Sequence, residues 1–327
     1  MALDLVVADA SGVKWLCTED FALDMEFGAD LGNDFELSGL RERIAPGSLI
    51  WCPGTEYGGV VDDDSPTHTR ASDSISYHGR TWHGVLAGFV VHPDSGKSHV
   101  VESGDLNAIT ARLLERCGIG APFSVTSEES ASVTSWQVSR YADLYSALMR
   151  MYASVGMRLA ITCDDGSVRL AAVPSVDWGQ SLGSDLEWTA TRNARPVNHL
   201  TVLGKGEGTA REVVELYADA GGNVSTTQTL FGLDHRGDTY ELTSKEGDEL
   251  ASAGRSKLAK YQQDRNSAKA TLPAGLGVSV GDSATFTSAA YGVRPTVSVT
   301  GLVVNVERGV ATVTPKTDGK FEEEDID

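Results

Sequence analysis

The sequence predicts a mainly β protein of α+β type, with two β-barrel-like modules and an α+β domain inserted between them. Three observations predict it. Apolar residues alternate with polar ones through most of the chain, which is the pattern of half-buried strands. Glycine is abundant, at 35 of 327 residues, and recurs where short strands would turn. Two stretches with helical spacing follow one another near residues 103–155, set apart from the β-patterned segments around them.

The first module is expected at residues 1–102. Phe21, Leu23, Met25 and Phe27 fall on one side of a strand with Asp24 and Glu26 between them, and Phe35 and Leu37 repeat the pattern after a turn at 28–33. Ser48–Cys52 reads as a further strand. Gly58–Asp62 and Ser74–Trp82 read as arms of a long hairpin whose polar tip is Asp63-Asp64-Ser65-Pro66-Thr67. Within Tyr77–Leu86, Gly79 and Gly84 flank Arg80 and Trp82. Glycine inside a strand marks a bulge, a bend or a close approach, so this stretch is expected to be a barrel corner packed by Trp82.

The inserted domain is expected at 103–178. Leu106, Ile109, Leu113 and Cys117 share a helix face, with Ser103 or Asp105 as its cap and Gly118 as its stop. A second helix is expected at about 140–155, capped by Ser139 and stopped by Gly156. Asp164-Asp165-Gly166 between two alternating runs predicts a hairpin. The second module, 179–317, returns to strands at Val197–Leu203 and Arg211–Ala218, and along 276–315, where Gly309 marks the turn of the last hairpin. One helix, about 244–262, is inserted in it, with Leu250, Leu258 and Tyr261 on a face and Ala251 and Gly254 at small positions. Residues 318–327 are read as an acidic, mobile tail. No short-period repeat is present.

A hydrophobic fraction of 41% can fill a core, which excludes a wholly disordered chain. No apolar run reaches the roughly 18 residues needed to cross a bilayer, and Asp4 and Asp9 interrupt the first segment where a signal peptide would be apolar. The formal charge of −19 argues against a binder of nucleic-acid backbones, which gains affinity from Lys and Arg on phosphates. It suits a surface past which a polyanion must slide. Cys17, Cys52, Cys117 and Cys163 form no C-x-x-C pair and read as reduced, mostly buried thiols.

Several fragments imitate catalytic motifs. Gly277-Val278-Ser279-Val280-Gly281 matches G-x-S-x-G, but a nucleophile elbow leads from a strand into a helix, and Asp282–Phe286 reads as strand. Gly96-Lys97-Ser98 ends like a phosphate loop, yet Val91 stands where its first glycine belongs. His68, His78, His83, His92 and His99 lie in the first third without a metal-binding spacing. Asp62-Asp63-Asp64 lacks the central glycine and late Glu of a calcium loop and reads as a solvated turn. No catalytic, cofactor-binding or metal-binding residue is therefore assigned.

Four segments, in order, resemble the tail-tip (baseplate) hub proteins of siphophages, relatives of the contractile-tail phage baseplate hub. They are Gly58–Asp62 leading to Ile75–Leu86, Val101–Asn107, Tyr141–Leu148, and Asn198–Gly206. The resemblance implies a virion structural protein of the tail tip, made in the host bacterial cytoplasm and without enzymatic activity. It implies a homotrimer whose two β modules per chain form a ring continuing the tail tube, through which DNA passes without specific binding. Implied partners are the distal tail protein, the tape-measure protein and receptor-binding, fibre or spike proteins. Two other functions remain open to the residues. One is a receptor- or carbohydrate-binding module stacking sugars on Trp51, Trp82, Trp136, Trp178 or Trp188. The other is a cell-wall hydrolase built on Ser279.

Overall fold

A computed structural model describes residues 3–323 except 10, 18–20, 30, 180–185, 274 and 289, and excludes the side chains of 322 and 323. The fold is mainly β, as the alternation predicts. The chain divides into two compact units, one of residues 1–187, 271–285 and 298–318, the other of 188–270, 286–297 and 319–327. Residues 103–178 lie in the first unit.

The first unit begins with strands β1 (Leu5–Ala8), β2 (Lys14–Cys17), β3 (Ala22–Gly28), β4 (Asp34–Ser38), β5 (Leu49–Trp51), β6 (Gly58–His68) and β7 (Asp73–Thr81), then the short helix α1 (Trp82–Ala87). There follow β8 (Val101–Asp105), α2 (Leu106–Arg116), β9 (Phe123–Val125), β10 (Ser132–Gln137), α3 (Leu144–Ala153), β11 (Met157–Asp164) and β12 (Ser167–Pro174). Continuing in chain order, the second unit holds β13 (Glu187–Arg192) but for Glu187, β14 (His199–Leu203), β15 (Val213–Ala218), β16 (Val224–Ser225), β17 (Gly237–Glu241), α4 (Gly247–Gln263) and β18 (Asn266–Thr271) but for Thr271. The short β19 (Ser283–Thr285) belongs to the first unit, and β20 (Val293–Glu307) and β21 (Val310–Glu323) contribute residues to both.

The first unit's main sheet runs β20-β3-β4-β7-β6-β5-β1-β2, with antiparallel neighbours throughout. Among the described residues this order is an open path rather than a closed barrel. A backbone bond, from the Leu3 N–H to the Gly309 carbonyl at 2.7 Å, joins the chain before β1 to the β20–β21 turn. Leu23, Met25, Phe27, Phe35 and Leu37 are all buried, so the face chosen by alternation is the core face. Asn33 holds the β3–β4 connection. It adopts a φ of 56°, which Asn tolerates, and its amide accepts from the Gly28 N–H at 2.8 Å.

The long hairpin forms, but its arms are longer than expected. Pairing continues from Gly59 opposite Thr81 to His68 opposite Asp73, so Asp62–Asp64 lie in a strand and not in a turn. A bulge between Val61 and Asp63 interrupts the register there. At Gly79 an added methyl group would collide with the Val60 carbonyl and the Phe35 ring, so only glycine lets that ring cover the strand. The expected corner at Trp82 is instead the start of α1. The Thr81 hydroxyl accepts from the Gly84 N–H at 3.3 Å and caps it, and Trp82 and His83 are buried in the first turn.

Behind the sheet, α2 and α3 pack on the three-stranded sheet β11-β12-β9. Asp105, one of the two expected caps, starts α2 by accepting from the Ala108 N–H at 3.1 Å. Helix α3 begins at Leu144, later than expected, because Asp143 and not Ser139 caps it through the Ser146 N–H at 2.8 Å. The Thr110 and Tyr152 hydroxyls bond at 2.6 Å inside this core. Cys52 and Cys163 are fully buried, and burial pushes both thiols up to about 12.

In the second unit, α4 covers the sheet β16-β15-β14-β17 with a small core of Leu200, Val202, Leu216, Ala218, Leu250 and Leu258. A methyl added at Gly254 would lie 2.6 Å from a Val202 carbon and 2.8 Å from one of Leu216, which is why this helix position is small. Strand β18 lies between β13 and β21. Residues 318–323, expected in a mobile tail, are the end of β21, while 324–327 lie outside the described residues.

Candidate functional site

The solvent face of β3, β4 and β7 is the most unusual surface in the first unit. On alternate positions between the buried apolar residues stand Asp24 and Glu26 of β3 and Asp34 and Glu36 of β4. The register sets Asp24 directly opposite Glu36 and Glu26 directly opposite Asp34. Carboxylates placed this way bring their Cβ atoms to roughly 4.5–5.5 Å, and like charges so paired destabilise a sheet. The rows extend across the neighbouring strands. Asn305 on β20 and His78 on β7 continue the first, and Val303 and Arg80 continue the second.

Arg80 is the cation placed to relieve this charge, since it lies opposite Asp34. It does not pair there. Its guanidinium makes two 2.8 Å bonds to Asp62, which the β6 bulge carries within reach. The bonded guanidinium holds the Asp62 carboxyl below the usual carboxylate range. Asp63 sits opposite His78 and adds a further acid to the first row. Relief for the β3 acids comes from neutral donors: the Asn305 amide to Asp24, and the Gly32 N–H to Glu26 at 2.8 Å. Among the described residues, none of Asp24, Glu26, Asp34 or Glu36 has a cationic partner. The face holds a shallow depression of about 330 Å³ lined by these four acids, His78 and Val303.

The candidates singled out from sequence lie elsewhere. Ser279 precedes a turn in which Asp282 accepts from the Ser279 N–H at 2.9 Å, and the next residues are strand β19, not a helix. Asp282 is buried and structural. It pairs with Arg158 at 3.0 Å and accepts from the Val176 N–H and the Trp178 indole. His78 stands on the acidic face, while His83 is buried beneath the sheet, stacked on Phe27 with ring centroids 4.2 Å apart. Its Nε2 lies 3.4 Å from Glu56. Gly96-Lys97-Ser98 forms a surface turn. Trp51 and Trp82 are buried and unavailable to a sugar. Trp136, Trp178 and Trp188 are half-buried. Groups of three or more His, Cys, Asp or Glu arranged to hold a metal ion do not occur among the described residues.

Sequence reading named Asp24 and Glu26 only as the polar half of an alternation. Their opposition to β4 depends on the Asn33 turn, which sets the register, and on a β20 partner about 270 residues away. Strand alternation alone carries no signal for either.

No protein-family model matches the chain, and no curated protein matches it. Several solved structures do. The tail protein from Neisseria meningitidis MC58 is 14% identical, with 98% of this chain and 97% of that one covered and a TM-score of 0.47. The 43 kDa tail protein of prophage MuSo2 from Shewanella oneidensis is 14% identical, with 96% and 98% covered and a TM-score of 0.48. Prophage tail protein gp18 from Listeria monocytogenes EGD-e is 12% identical, with 96% and 94% covered and a TM-score of 0.45.

Proposed function

We propose that this chain is a structural hub component of a phage tail tip and that the acidic face of β3 and β4 lines the passage for DNA. The observation that carries the reading is the two pairs of directly opposed carboxylates, Asp24 with Glu36 and Glu26 with Asp34, which among the described residues have no cationic partner while Arg80 is held by Asp62. Such a face costs stability locally, and residues that break a local rule cluster where function demands them. A conduit demands it. A polyanion slides past a surface that offers no cation to its phosphates, whereas each Lys or Arg would release counterions and bind.

At physiological salt the repulsion reaches only about 8 Å, so only carboxylates on the lining act. In this reading three copies close a ring that continues the tail tube and meets the distal tail, tape-measure and receptor-binding proteins. The chain performs no catalysis in that role. The resemblance of the four sequence segments supports the assignment to a tail.

Electron microscopy of intact tails tests the proposal. The expected result is a threefold ring with residues 22–28 and 34–38 facing the lumen. A ring with that face on its outer wall, or virions lacking this chain, would overturn it. Neutralising Asp24, Glu26, Asp34 and Glu36 together in the phage is expected to leave particle assembly intact and to slow genome release.

A further inference from the structure

The second unit contains a polar cavity of about 280 Å³ that the conduit reading does not use. Its lining charges balance in number but not in pairing. Arg195 and Asp234 face each other at 3.5 Å, both largely exposed. The other two, Arg265 and Asp219, have no oppositely charged partner among the described residues. Arg265 donates to the Ala220 carbonyl at 3.5 Å. Asp219 accepts from the Asn223 amide at 3.0 Å and the Asn223 N–H at 2.9 Å, neutral donors that hold its carboxyl below the usual range. A third group is buried beside them. Gln262 of α4 is 8% exposed and gives its Nε2 to the Val197 carbonyl at 2.6 Å, while its Oε1 accepts no bond among the described residues. A buried acceptor without a donor is costly, and the cavity is the space from which a donor can reach it. Asn198, by contrast, is satisfied on both side-chain atoms by the Asp234 carbonyl and the Arg236 N–H.

Three groups thus make different demands on one ligand. The Arg265 guanidinium presents paired N–H donors suited to a carboxylate. Asp219 calls for a cation, and the Gln262 Oε1 for an N–H. Arg265 and Asp219 stand close, since Arg265 reaches the carbonyl of the next residue, Ala220. A carboxylate and an ammonium on one carbon meet all three demands. Phosphate would bring no ammonium to Asp219 and would add charge against it. An acidic peptide segment would leave Asp219 without a cation. The volume lies just below the roughly 300–1,000 Å³ of most ligand pockets, so the ligand is small. Pro196, Ala220 and Leu230 supply its apolar wall. We propose that this cavity binds a free α-amino acid with a small aliphatic side chain, its carboxylate on Arg265 and its ammonium on Asp219 and Gln262.

The test is a titration of the full chain with L-alanine, followed by the amide resonances of Ala220, Gln262 and Arg265. A saturable shift at these positions is expected. L-Alaninamide lacks the carboxylate and N-acetyl-L-alanine lacks the ammonium. Each should bind at least about tenfold more weakly, the contribution of one hydrogen bond to a charged group. Arg265→Gln should weaken L-alanine about tenfold and leave L-alaninamide unchanged, a difference that a damaged fold does not produce. No saturable shift with L-alanine would overturn the proposal. So would an Arg265→Gln variant that binds L-alanine as the wild type does. Equal affinity for L-alanine and N-acetyl-L-alanine would also overturn it, and would assign the cavity to an acidic peptide.

Discussion

The two faces of the β3–β4 ladder have opposite characters although they are built from the same two strands. One face is Leu23, Met25, Phe27, Phe35 and Leu37, each buried with a neighbour of its own kind. The other is Asp24, Glu26, Asp34 and Glu36, each facing a neighbour of like charge. Local preference, register and burial agree on the first face. On the second, register and charge conflict, and the conflict persists beside an arginine bound to a different acid. The difference teaches that the ladder is held from beneath, and that its exposed face is free to carry a pattern that weakens it.

Breaking the buried side should have the largest effect. Phe27→Ala removes a fully buried ring that stacks on His83, and should lower unfolding free energy by about 3–5 kcal/mol in urea titrations. Arg158→Ala leaves Asp282 buried without its cation and is expected to cost a similar ~3–5 kcal/mol. Arg158→Ala/Asp282→Asn should recover part of that loss. Ion pairs on the exposed side are worth much less. Arg80→Gln should cost under ~1 kcal/mol, since both partners remain in contact with water.

The sign of the pH dependence follows from Asp62. Its folded carboxyl titrates below its unfolded value of about 3.9. The Arg80 contribution is therefore complete above that value and disappears as pH falls through the folded one. Thermal melts of wild type and Arg80→Gln should differ at pH 7 and converge as pH falls below the ordinary carboxylate range. The smallest effect carries the opposite sign. Asp24→Asn/Glu26→Gln should raise stability by about 0.2–1 kcal/mol. That gain should shrink in 1 M salt, where the screening length falls to about 3 Å. A loss of stability in this variant would mean that the carboxylates serve the fold and not a passage.

The division between legible and hidden features follows the range of the interactions. Alternation at 21–27 and 35–37 located the core face because a strand's period is local. The helices were visible because their apolar spacing and caps lie within a few residues, although Asp143 outcompeted Ser139 by standing next to the first turn. The hairpin was legible and its tip was not, since the polar residues Asp63–His68 pair across the arm and do not turn. Tyr77–Leu86 misled for a related reason: Thr81 caps a helix that its glycines had disguised as a strand corner. The acidic face was out of reach, because it depends on register and on the bulge that brings Asp62 to Arg80.

The pairing of β3 with β20, Gly28 opposite Gly301, has a consequence for synthesis. About 270 residues must leave the ribosome after β3 before its neighbour exists. At roughly 5–20 residues per second that is tens of seconds during which the nascent strand has an unprotected edge. Chaperone binding to ribosome-held chains halted before residue 298 should therefore be stronger than to chains halted after 323. The last hairpin then acts as the closing step of translation-coupled assembly.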